Sequence, residues 1–256
     1  MKAHPSGKVA RDTPAGKAAT PIRGLLFDKD GTLLDFQQSW SRAYNELCLD
    51  LCDGDSEAAA AMLAAGGMEP TTGHCRSGSV LAAGNTIDIA AFWYPLLSGP
   101  SLKAMVERID RAFHANGIRY SVMLPGVAET LETLAGAGLA MGVATSDSTA
   151  ATKAALDALG IAHYLPHVFG YDSMARPKPA PDIVHGFCAA VGIEPRAVAV
   201  IGDNPHELEM ARGAGAGAAL GVLSGNSGMD DLAPLADAVL GSICDLPAWL
   251  RSLDPE

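Results

Sequence analysis

Two carboxylates, Asp28 and Asp30, flank a single lysine where the apolar run "RGLLF" ends, and a glycine follows them in "DKDGT". An Asp-Gly pair by itself signals only a turn with a capping acid. A strand that closes by presenting two acids is unusual if stability is all it serves. The residue types suit catalysis: one carboxylate can attack an electrophile and form a covalent intermediate. A second carboxylate, held partly protonated by burial or neighbouring charge, can give and take the protons that step requires. Gly31 supplies the backbone freedom for a turn tight enough to bring both acids to one group. Two other apolar runs also end in polar residues: "LAMGVATSD" reaches Thr145 and Ser146, and "AVAVIGD" reaches Asp203.

The elements around these runs decide whether they meet. From residue 124 onward the pattern alternates between strand and helix. "PGVAETLETLAGAG" reads as a helix stopped by Gly136 and Gly138, and "STAATKAALDALG" as one capped by Ser148 and stopped at Gly160. "APDIVHGFCAAVG" carries Pro181 in its first turn and Gly192 at its end, and "PHELEMARGAG" follows the Asp203 strand. "HVFG", "GAALGVL" and "DAVL" complete the strands. Strands separated by such helices predict an α/β fold with a doubly wound parallel sheet. Ligands of these sheets sit at the C-terminal strand ends, where Asp28, Thr145 and Asp203 all fall.

The stretch between the first strand and residue 120 breaks the alternation. "SWSRAYNELCLDL", "SEAAAAMLAAG" and "SLKAMVERIDRAFHANG" have helical periodicity, the last ending at Gly117. Between them "GGMEPTTGHCRSGSVLAAGNT" reads largely as loop. The expected organisation is a disordered basic tail over residues 1–21, a core made of 22–35 and 123–256, and a helical cap over 36–122.

Taken in order, "DKDGT", "VATSD", the Lys178 of "RPKPAPD" and "IGDNPHE" resemble the four motifs of the haloacid dehalogenase-like (HAD) hydrolases. The helical insertion after the first motif is similar to the cap of that family's phosphoglycolate phosphatase-like branch. The resemblance implies a Rossmann-like core and a Mg²⁺-dependent phosphatase acting on a small-molecule phosphomonoester, phosphoglycolate or a sugar phosphate. It makes Asp28 the nucleophile of an aspartyl-phosphate mechanism, and Asp30 the acid that protonates the leaving oxygen and later takes a proton from water. It gives Thr145 and Ser146 to the phosphoryl group and uses Lys178 to offset negative charge. It places Mg²⁺ on the Asp28 carboxylate, the Asp30 carbonyl and Asp203. The family often has Asp where this chain has Glu207, so Glu207 is left outside the ligand set. Asn204 reads as a neighbouring ligand or a turn residue, and His206 as structural.

Phosphate monoesters are among the slowest substrates to hydrolyse, needing accelerations of up to about 10²¹-fold, so the full set Asp28, Asp30, Lys178 and Asp203 points to an enzyme. A phosphomutase using the same motifs is the alternative, as is a non-catalytic phosphate-binding or regulatory protein that has kept the fold. Dehalogenation is disfavoured, because a carbon–halogen bond needs no acid for its leaving group. Within the insertion, Arg76 stands in a glycine- and serine-rich loop and is expected to meet a substrate carboxylate.

A formal charge of −11 and a pI near 5.0 argue against a nucleic-acid partner, whose phosphates must be met by Lys and Arg. The five cysteines are scattered without a CxxC pair, which predicts reduced thiols and a cytoplasmic protein. No apolar run approaches the ~20 residues a membrane span requires, and the first 21 residues lack a signal-peptide apolar segment.

Overall fold

The computed structural model describes residues 20–97 and 101–253. The expected basic tail therefore lies outside the described residues, apart from its last two positions.

Six strands form one sheet: β1 (Gly24–Phe27), β2 (Ala140–Ala144), β3 (His167–Phe169), β4 (Val198–Gly202), β5 (Ala218–Val222) and β6 (Ala238–Leu240). Their order is β3-β2-β1-β4-β5-β6, and every neighbouring pair is parallel. Strands covered on both faces need continuous apolar runs, and β1, β4 and β5 are buried throughout. Alternate side chains then serve opposite faces. Leu25, Phe27, Ala199 and Ile201 join one apolar cluster with Leu131 of α6 (Val127–Gly136) and Leu156 of α7 (Thr149–Ala158). Leu26, Val198 and Val200 join the other, with Phe187 of α8 (Asp182–Val191) and Leu208 of α9 (Pro205–Ala214). The chain leaves β1 for β2 on one side and returns to β4 on the other. That reversal opens the crevice in which such sheets bind ligands.

Residues 36–97 and 101–120 form a separate helical layer with its own apolar cluster, including Trp40, Leu47, Trp93, Ile109 and Phe113. Its helices, α1–α5 in chain order, are written as the insertion helices i1 (Phe36–Leu51), i2 (Ser56–Gly66), i3 (Val80–Ala83), i4 (Thr86–Trp93) and i5 (Leu102–Tyr120). Two sequence expectations change here. Helix i5 does not stop at Gly117 but runs on to Tyr120, whose ring is buried and whose hydroxyl donates to Glu46 Oε1 at 2.6 Å. A glycine inside a helix costs only about 0.5–1 kcal/mol relative to Ala, which that anchor outweighs. The segment expected as loop contains i3, and i4 begins at its end, where Asn85 and Asp88 form a reciprocal capping box.

Entry to and exit from the insertion lie side by side. Asp35 N–H donates to the Val122 carbonyl at 2.8 Å and Leu124 N–H to the Leu33 carbonyl at 3.0 Å. Leu34 and Met123 form an antiparallel bridge between them. Among the described residues no helix is long and apolar enough to cross a membrane.

Candidate active site

Asp28 leaves β1 with its N–H fixed to the Ile201 carbonyl at 2.8 Å, and this carries its carboxylate to the crevice beside β4. Lys178, from the loop before α8, reaches the same point. Its Nζ donates to Asp28 Oδ1 at 2.6 Å and to Glu207 Oε1 at 2.7 Å. The other Glu207 oxygen accepts from Asn204 N–H at 3.0 Å, closing the capping box at the start of α9. Glu207 is thus both a helix cap and the second anchor of Lys178.

Asp203, at the end of β4, accepts from Asn226 N–H at 2.8 Å. Two glycines make room for it. Gly31 has φ +86°, and a Cβ there would lie 2.6 Å from the Asp203 carboxylate; a Cβ on Gly225 would collide with Asp203 Oδ2. The "DKDGT" turn therefore needs glycine for its backbone and for the acid opposite.

Burial pushes the Asp28 carboxyl up to about 7, against the pull of Lys178 and with the push of Glu207 and Asp30. Burial, with Asp28 and Glu207 beside it, also holds Asp203 well above the ordinary carboxylate range. Burial opposes the charge on Lys178, yet Asp28 and Glu207 outweigh it and keep the ammonium above the usual lysine value.

A second buried lysine organises the opposite wall. Lys29 Nζ lies 2.9 Å from Asp147 Oδ2 and 3.1 Å from Asp30 Oδ2, with the Trp40 ring centroid 5.2 Å away. Asp147 N–H donates to Thr145 Oγ1 at 3.1 Å, and Asp147 Oδ1 accepts from Ser148 N–H at 2.7 Å. Asp30 Oδ1 and Asn204 Nδ2 are buried without partners.

The crevice thus collects Asp28, Asp30, Thr145, Ser146, Asp203, Asn204 and Glu207 on one lining. Lys178 stands directly behind Asp28. Ser146 donates its hydroxyl to the Ala83 carbonyl of the insertion at 3.3 Å, so here it joins the two layers. Arg76 is not brought to the site: its side chain is exposed and lies outside the lining, because its loop folds back on Gly67 and Ser79. Lys29 and Asp147 are the residues that sequence reasoning passed over. Their signal was present in the motifs, since a lysine placed between two acids at a buried strand end demands a counter-charge.

The donors facing the crevice are oxygens, which suits a hard divalent cation such as Mg²⁺. Among the described residues no three His, Cys, Asp or Glu side chains converge as a closed metal site. That is compatible with two carboxylates, Asp28 and Asp203, completed by the Asp30 carbonyl. Cys52 Sγ donates to Met62 Sδ at 3.3 Å, and all five cysteines are free.

The family model for haloacid dehalogenase-like hydrolases matches residues 22–215. The chain belongs to the haloacid dehalogenase-like hydrolases. Within this family it is 40% identical over 111 residues to a probable phosphatase IndB of Dickeya dadantii, a stretch covering 43% of the chain and 48% of that protein. The chain thus spans about half the length of curated relatives such as this one. It is 28% identical over 197 residues to a phosphoglycolate phosphatase of Yersinia pseudotuberculosis, covering 76% of the chain and 78% of the relative. The haloacid dehalogenase-like fold extends to a predicted phosphoglycolate phosphatase of Haemophilus somnus at a TM-score of 0.68 and 21% identity, over 90% of this chain and 98% of that one.

Proposed function

We propose that this chain is a Mg²⁺-dependent phosphatase that hydrolyses a small-molecule phosphomonoester through an aspartyl-phosphate. The observation that carries the reading is the pairing of Asp28 and Asp203 at neighbouring strand ends with Lys178 bonded to Asp28.

In this reading an Asp28 oxygen attacks phosphorus. The P–O bond to the alcohol breaks, and Asp30 gives its proton to the departing oxygen. Asp30 then takes a proton from water as that water attacks the aspartyl-phosphate, releasing inorganic phosphate and restoring Asp28. Thr145 donates to a phosphoryl oxygen, and Lys178 offsets the charge that Asp28 and the phosphate share. Mg²⁺ held by Asp28, Asp203 and the Asp30 carbonyl would supply the positive charge that lets a phosphate approach these carboxylates. The insertion acts as a cap that keeps bulk water out of the crevice. The five free cysteines favour a reducing, cytoplasmic setting.

With p-nitrophenyl phosphate and Mg²⁺ the protein should turn over, and Asp28→Asn should lower kcat by roughly 10³-fold or more, as expected for loss of a covalent nucleophile. Chelation should abolish activity and added Mg²⁺ restore it. Full activity in excess chelator, or an active Asp28→Asn, would refute the reading.

A further inference from the structure

We infer that the crevice selects a phosphomonoester whose leaving alcohol is uncharged and apolar. The inference rests on the phosphatase reading and names the class of substrate for that same site.

The two sides of the crevice differ in kind. The floor is the polar set already described. The roof, given by the insertion, is formed by Phe36, Trp40, Tyr44, Leu81, Ile89 and Phe113. Trp40 stacks on Tyr44 at 5.3 Å and meets Phe113 edge-on at 4.9 Å, so these rings are packed on one another within the insertion. The Tyr44 hydroxyl donates to the Leu81 carbonyl at 2.8 Å, so its proton is not offered to a ligand. Besides Tyr44, the roof side chains with a polar group among the described residues are Trp40, whose indole N–H can only donate, and Thr86; the remaining lining there is Ala82, Ala83 and Gly84.

Among the described residues no Lys, Arg or His lines the crevice, whereas Asp28, Asp30, Asp147, Asp203 and Glu207 all do. The two lysines behind them are each bound to two carboxylates. A second anion on the substrate would thus enter beside an excess of carboxylates with no unengaged cation to meet it. Burying such a charge unpaired is strongly unfavourable, and burying hydroxyls against carbon loses their hydrogen bonds to water. Arg76, the one cation of the insertion loop expected to serve here, points to solvent. An apolar alcohol has none of these penalties and gains the burial of its own surface.

The decisive comparison is kcat/KM for benzyl phosphate and 2-phosphoglycolate, two esters of primary alcohols, with glucose 6-phosphate and acetyl phosphate alongside. Benzyl phosphate should exceed phosphoglycolate and the sugar ester by at least about tenfold, the discrimination a few unmade polar contacts supply. Benzylphosphonate should likewise inhibit at lower concentration than phosphonoacetate. Ala83→Arg, which sets a cation on the roof, should cut the benzyl-to-glycolate ratio by about tenfold or more. Equal or better turnover of phosphoglycolate by the wild type, while acetyl phosphate is hydrolysed, would overturn the inference and leave the phosphatase reading standing. An unchanged ratio in a folded Ala83→Arg would overturn it too. If the variant does not fold, the wild-type ratio and the phosphonate inhibition still decide. Failure to hydrolyse any of the three esters or acetyl phosphate would remove the phosphatase reading and the inference with it.

Discussion

Lys29 is buried between Asp147 and Asp30, and its replacement by Met would leave Asp147 desolvated without a counter-charge. Removing one partner of a buried pair costs about 3–5 kcal/mol, whereas replacing both by apolar groups is often neutral. Lys29→Met should therefore lower stability in urea by about that amount, and Lys29→Met with Asp147→Leu should recover the part owed to Asp147, leaving only the more exposed Asp30 unpaired. A single-variant loss below about 1 kcal/mol would show that the pair is not what holds this wall. The sequence named most of the floor because each of those residues ends an apolar run, a pattern visible without coordinates. It did not name Lys29 and Asp147 as a pair, since they lie on separate elements and only the parallel register of β1 with β2 brings them together. It also undervalued Glu207, which a first-turn acid on a helix explains equally well until Lys178 is seen against it.

At the scale of elements, the polar contacts that join insertion and core include Tyr171 to Asp110 Oδ2 at 2.7 Å, Ser146 to the Ala83 carbonyl, and Ser77 to Ser227 at 3.0 Å. They hold the roof down over the floor. Tyr171→Phe removes the one of these that reaches a carboxylate, and a hydrogen bond of that kind contributes about 1.5–3 kcal/mol. KM for the preferred ester should rise severalfold while each layer, held by its own apolar cluster, stays folded by circular dichroism. An unchanged KM would mean that this contact has no part in closure. The strands and long helices were legible because periodicity, caps and glycine stops agree in each of them. Helix i4 was not, because its capping box lies at the end of a Gly-, Ser- and Thr-rich stretch whose composition reads as loop. The place of Arg76 was equally hidden, since composition cannot say which way a loop folds.

The stability of the whole molecule is linked to the site through Asp28. A carboxyl raised on folding stabilises the native state fully only below its unfolded value near 3.8, and that contribution is lost as pH rises through about 7. The metal-free protein should therefore weaken over this interval. Mg²⁺ needs the ionised carboxylates, so it should raise Tm more at about pH 8 than at about pH 5, a comparison made by thermal shift with and without chelator. Equal shifts at both pH values would place the cation elsewhere. The position of the insertion has another consequence, for the order of events during synthesis. β1 is made first, yet its partners Ala140 and Val198 emerge only after all five insertion helices have been translated. Those helices own an apolar cluster of local contacts, and local contacts form early. Pulse-labelling hydrogen exchange on the refolding chain should find amides of i1 and i5 protected before those of Leu25–Phe27, and simultaneous protection would refute this order. The strand that carries the nucleophile would then be the first piece of the core to leave the ribosome and among the last to be locked in place, so no half-made chain could assemble a working site.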